Sequence, residues 1–61
     1  MKILKCISAA NGGDLLIPIE NIAYILQDPE KPTEIFLNNF AIVRVCETAK
    51  ELNGKILSLL G

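Results

Sequence analysis

Two runs rich in β-branched and aromatic residues, Thr33-Glu34-Ile35-Phe36-Leu37 and Ala41-Ile42-Val43-Arg44-Val45, stand three residues apart. Such runs favour extended backbone, and so short a link points to an antiparallel hairpin. Asparagine tolerates positive φ, which makes Asn38-Asn39 the first choice for a two-residue turn. That register sets Leu37 opposite Phe40 and Ile35 opposite Ile42 on one face. Phe36 opposite Ala41 and Glu34 opposite Val43 then share the other. A turn at Asn39-Phe40 changes every pair, because register follows the turn. In neither register is one face polar, so this sheet is expected to be covered twice, by its own helix and by something else.

The helix announces itself directly after the hairpin. Thr48-Ala49-Lys50-Glu51 fits a capping box, in which Thr48 accepts from the N–H of Glu51 and the Glu51 carboxylate reaches back to the N–H of Thr48. Glu47 and Glu51 also place negative charge at the positive end of the helix dipole. At about 100° per residue, Leu59, Leu52, Ile56, Ala49, Leu60 and Leu57 fall within an arc of roughly 160°. Gly54 inside that pattern costs about 1 kcal/mol against alanine, so the helix depends on docking.

The upstream half reads as sheet. Lys2 to Ser8 alternates, with Ile3 and Ile7 on one side and Leu4 and Cys6 on the other. Asn11-Gly12-Gly13-Asp14 is a turn signal, and Leu15-Leu16-Ile17 pairs back as a second strand ended by Pro18. Pro18 to Asn21 makes a bend or a single helical turn before the third strand, Ile22 to Gln27. Asp28-Pro29-Glu30-Lys31-Pro32 is an exposed loop stiffened by its prolines. The expected fold is α+β, a single domain over residues 1–61: a small antiparallel meander of four or five strands, a curled sheet or half-barrel, with one C-terminal helix packed on it.

Size and surface then conflict. A domain of 61 residues buries only about 60% of its unfolded surface. Yet 51% of the residues are hydrophobic and the mean hydropathy is +0.40. Apolar surface is therefore left over for partners. The residues expected at an interface are Tyr24, Phe36, Phe40, Val43, Val45 and Leu57, with a homo-oligomer as the first reading and a different protein partner as the other.

The charges exclude more than they propose. Six basic and seven acidic residues are dispersed for a net −1. No block of Lys or Arg creates the field of a nucleic-acid binder, and aromatics are too few for a stacking platform. The competing nucleic-acid reading would rest on Lys2, Lys5, Lys31 and Arg44. With no histidine, Ser-His and Cys-His pairs are impossible, and a zinc site would need carboxylates. Gly12-Gly13 is not followed by a phosphate-loop pattern. Glu30 with Glu34, and Glu47 with Glu51, read as loop and cap carboxylates. No enzyme, cofactor or metal site is expected. Cys6 and Cys46 read as two buried, inert thiols, with a bridge between them as the alternative. The first residues lack the apolar core of a signal peptide and no run approaches a membrane span, so the expected location is cytoplasmic.

Asn11-Gly12-Gly13, Ile17 to Ile19, Ile22-x-x-Ile25, Thr33-x-Ile35-x-Leu37, Val45-x-Glu47-Thr48, Glu51-Leu52 and Ile56 together resemble the FlbD-like small flagellar and swarming-motility proteins. The pattern covers nearly the whole chain. That family often has glycine after the turn asparagine of the second hairpin, where this chain has Phe40. The resemblance implies a bacterial or phage type of small protein and brings no catalytic residue. The segment Ile17 to Leu57, through Ile19-Glu20-Asn21-Ile22-Ala23-Tyr24-Ile25 and Glu51-Leu52, is also similar to the first half of a LytTR-type DNA-binding domain. The expected function is non-catalytic: self-association or protein–protein binding as a structural, adaptor or regulatory subunit, with a nucleic-acid-binding regulatory module as the alternative.

Overall fold

In the computed structural model, which describes residues 2–61, strand alternation, broken once in the third strand, sorts the side chains into an inner and an outer set. The chain runs β1 (Ile3–Ile7), β2 (Asp14–Pro18), a single 3-10 turn (Ile19–Asn21), β3 (Ile22–Leu26), β4 (Thr33–Leu37), β5 (Ile42–Val45) and α1 (Ala49–Leu60). The α+β architecture is the expected one. All strand pairs are antiparallel, and they form two open sheets, β1-β2 and β3-β4-β5.

The break between the sheets falls at Pro18 and the 3-10 turn. β2 and β3 follow one another in the chain without pairing. The two sheets meet instead at the far end of β1. Ser8 bridges Val45, Cys46 N–H donates to Ile7 C=O at 2.9 Å and Ala9 N–H donates to Arg44 C=O at 3.0 Å. The result curls without closing.

The core lies between this curl and α1. Leu4, Cys6, Ile17, Ile35, Val45 and Leu52 are its buried apolar residues. Ile22, Ile25, Val43, Ile56 and Leu59 pack against them. Only Leu52 of the helix is wholly buried, because a single helix over a small sheet shields just part of its apolar arc. Leu57 and Leu60, turned away from the Leu52, Ile56 and Leu59 side of the apolar arc, stay in solvent.

The helix start is as expected. Thr48 Oγ1 accepts from Glu51 N–H at 3.1 Å, and Thr48 N–H donates to the Glu51 carboxylate at 3.1 Å. A third donor of the first turn, Ala49 N–H, finds Gln27 Oε1 at 2.7 Å. The end of β3 thus holds the helix where it begins, and a helix N-terminus needs such acceptors.

The second hairpin takes neither register anticipated from its turn. Phe36 lies opposite Ile42, Ile35 opposite Val43, Glu34 opposite Arg44 and Thr33 opposite Val45. Leu37 N–H donates to Ala41 C=O at 2.9 Å, which leaves Asn38, Asn39 and Phe40 as a three-residue loop. Phe40 N–H donates to Leu37 C=O at 3.0 Å, closing a β-turn over the two asparagines. Phe40 then turns the chain back into β5 with a φ of 71°. This is the three-residue hairpin in which a turn is followed by one left-handed residue. The extra residue shifts β5 by one place, and with period-two alternation a single shift exchanges its faces.

Candidate interaction surface

That exchange decides what β5 shows to solvent. Tyr24, Phe36 and Ile42 form one cross-strand row, and Leu26, Glu34 and Arg44 form the next. Both rows lie on the outer face of the three-stranded sheet. Ile25, Ile35 and Val43 form the inner row, against the helix side. The expectation of Val43 and Val45 as surface residues is therefore corrected. Val45 is fully buried in the core, and Val43 packs half-buried against it. Ile42, which sequence reasoning did not select, takes their place at 47% exposure.

Tyr24 and Phe36 stack, with ring centroids 4.4 Å apart and planes 13° from parallel. A β-bulge between Ile22 and Tyr24 lets Tyr24 face Phe36 across the strands, and cross-strand aromatic pairs of this kind stabilise a sheet face. Beside them, Ala23, Phe40 and Ile42 help line a shallow apolar groove. In the next row Arg44 bridges Glu34 at 3.2 Å. The face thus carries apolar side chains and one ion pair, with no net charge from the pair.

Phe40 stands at the end of this face with 94% of its surface in water. The loop beneath it is tied on both sides. Asn38 N–H donates to Asn21 C=O at 2.8 Å and Asn38 Nδ2 to Glu20 C=O at 2.9 Å. Ala41 N–H donates to Asn39 Oδ1 at 3.1 Å. A phenylalanine that buries almost none of its surface is held in a conformation that favours glycine. A left-handed backbone costs a residue with a side chain about 1–2 kcal/mol, and no contact in this chain offsets it.

Leu57, the remaining residue expected at an interface, lies on the helix at 58% exposure, away from the three-stranded sheet's outer face. The structure therefore gathers Tyr24, Phe36 and Phe40 and leaves Leu57 separate. The cations of the nucleic-acid reading do not share one surface groove. Lys2 lines a groove with Glu20, Lys5 one with Asp14 and Glu47, and Arg44 a third. Lys31 sits in the loop between β3 and β4, its N–H donating to Asp28 C=O.

A second arrangement shows how the open edge of β1 is managed. Beyond Cys46 the chain leaves for the helix, and the Glu47 side chain continues the ladder in its place. Ile7 N–H donates to both Glu47 carboxylate oxygens, at 3.1 and 3.2 Å. Lys55 Nζ reaches Glu47 Oε2 at 3.2 Å and Lys5 C=O at 3.0 Å. Burial by itself would raise the Glu47 carboxyl, but the hydrogen bonds from Ile7, its own backbone N–H and Lys55 outweigh it and hold the pKa below the ordinary glutamate value. An exposed strand edge invites pairing with other chains, and these two side chains occupy it.

Both cysteines are free. Cys6 is buried, and burial, with the Glu47 charge beside it, pushes its thiol up. Cys46 is exposed, which corrects the expectation of two buried thiols. It follows Val45 in alternation and so turns outward where Val45 turns in. Among the described residues no cluster of metal-ligating side chains forms, and no helix is long and apolar enough to cross a membrane. No protein-family model matches the chain, and no curated protein or solved structure matches it either.

Proposed function

We propose that the protein is a non-catalytic association module, and that the outer face of β3-β4-β5 is the surface through which it binds other protein. One observation carries this reading: Phe40 is held at a conformationally costly positive φ and is almost wholly exposed, at the wall of an apolar groove beside an apolar row. Exposed aromatics of this kind act as anchors at protein interfaces. The acting residues are Phe40, Tyr24, Phe36 and Ile42, in a cytoplasmic subunit of bacterial or phage type. The kinship with FlbD-like proteins belongs to the same proposal and rests on the sequence pattern.

The test is a photoreactive phenylalanine derivative placed at position 42 and, separately, at positions 16 and 57, in the cells the chain comes from. A protein adduct from position 42, with little from 16 or 57, is the expected result. Adducts from position 16 or 57 with none from 42 would move the surface elsewhere and overturn the reading.

A further inference from the structure

We infer that the partner on this face is a second copy of the chain, related by a two-fold axis, with Phe40 of each copy seated in the groove beside Tyr24 and Ile42 of the other. The inference rests on the reading of the outer face as an association surface, and it names the occupant.

Three features point to a copy. An isologous contact must be self-complementary, since residue i of one subunit meets residue j of the other and the reverse also holds. Here Phe40 projects as one wall of an apolar groove whose other walls include Tyr24, Phe36 and Ile42, so ring and groove belong to one surface. The charges agree with this. Glu34 and Arg44 sit in the adjoining row, one acid and one base, 3.2 Å apart. A two-fold rotation can set the acid of one copy near the base of the other, so that each ion pair widens into a four-membered cluster. Nucleic acid or an anionic membrane would instead call for an excess of cations, which this face lacks. The edge of β1 next to β5, one place where a second chain could add a strand, is occupied by Glu47 and Lys55.

The size of the face sets the strength. At about 3.4 Å per residue and about 4.8 Å between strands it spans roughly 17 by 14 Å, smaller than the about 800 Å² per partner of a standard interface. A weak dimer, populated only as concentration rises, is expected.

The experiment is native mass by light scattering or sedimentation across micromolar to millimolar concentration, in reducing buffer, on the full chain and on variants. The wild-type mass should rise from 6.7 kDa to twice that value. Phe40→Asp, whose short polar side chain tolerates left-handed backbone and keeps the fold, should weaken the dimer more than tenfold. Glu34→Arg and Arg44→Glu should each weaken self-association, and mixing the two should restore a dimer that neither forms alone. A single fold-preserving spectrum for each variant, by circular dichroism, guards against loss of structure. A wild-type chain that stays monomeric throughout overturns the second copy as partner, as does a dimer indifferent to Phe40→Asp. The wider reading stands or falls separately, on whether position 42 crosslinks to any protein.

Discussion

Phe40 stores free energy that the isolated subunit does not recover. Glycine adopts a φ of 71° without steric penalty, and the Phe40 ring has no packing to lose. Phe40→Gly should therefore raise monomer stability by about 0.5–1 kcal/mol while weakening association. Urea denaturation at low micromolar concentration checks the first effect, and native mass the second. A variant no more stable than the parent would show that the turn carries no strain. Glu47 makes the opposite case, a polar residue whose value lies wholly within the fold. Its folded pKa is lowered, so its contribution is present above the unfolded glutamate value of about 4.3 and fades as pH falls through the lower folded value. Glu47→Gln should cost about 1.5 kcal/mol at neutral pH and flatten the acid limb of the stability profile. If that limb is unchanged in Glu47→Gln, other carboxylates govern acid unfolding.

At the scale of elements, α1 carries a glycine in its interior and closes the core through Leu52. Its capping box organises the first turn, and Thr48→Ala should cost about 1 kcal/mol. Gly54 lies inside it with open space where a Cβ would stand. Gly54→Ala should accordingly add about 0.5–1 kcal/mol, and a melting temperature several degrees higher would register it. No gain would mean that the helix ends are already saturated by docking. Leu52 is the single wholly buried residue of the helix. Leu52→Ala removes about 2–5 kcal/mol, comparable to the about 3–5 kcal/mol a core this small supplies. That variant should be largely unfolded at 37 °C by circular dichroism.

For the whole molecule, burial of Cys6 in the core and exposure of Cys46 make the thiols reporters of global opening. Cys46 should react with a thiol reagent at once in native buffer. Cys6 should react only as fast as the whole domain unfolds, a difference of several orders of magnitude that vanishes in denaturant. Equal rates would mean that α1 lifts from the sheet without global unfolding. The α+β order, the helix start and the first hairpin were legible in the sequence, because a capping box, a Gly-rich turn and strand alternation are decided among residues a few places apart. The candidate surface was legible only in part. Tyr24, Phe36 and Phe40 were among the residues expected at an interface from the excess of apolar surface, but Val43 and Val45 were assigned outward and Ile42 was passed over. That error came from one turn residue. A two-residue turn and a three-residue loop ending in a left-handed Phe40 differ by a single place, and the place inverts β5.

Sequence by itself determined the local units: five strands, one capped helix, dispersed charge, and no histidine for common acid–base chemistry. Tertiary structure decided how they meet. Ile7 and Glu47 join across 40 residues and Lys5 and Lys55 across 50, and β1 bridges β5 rather than β2 bridging β3. Local preference acts through the nearest few residues, whereas an edge finds its partner and a face its cover only when the curl of the sheets brings distant groups within hydrogen-bonding range.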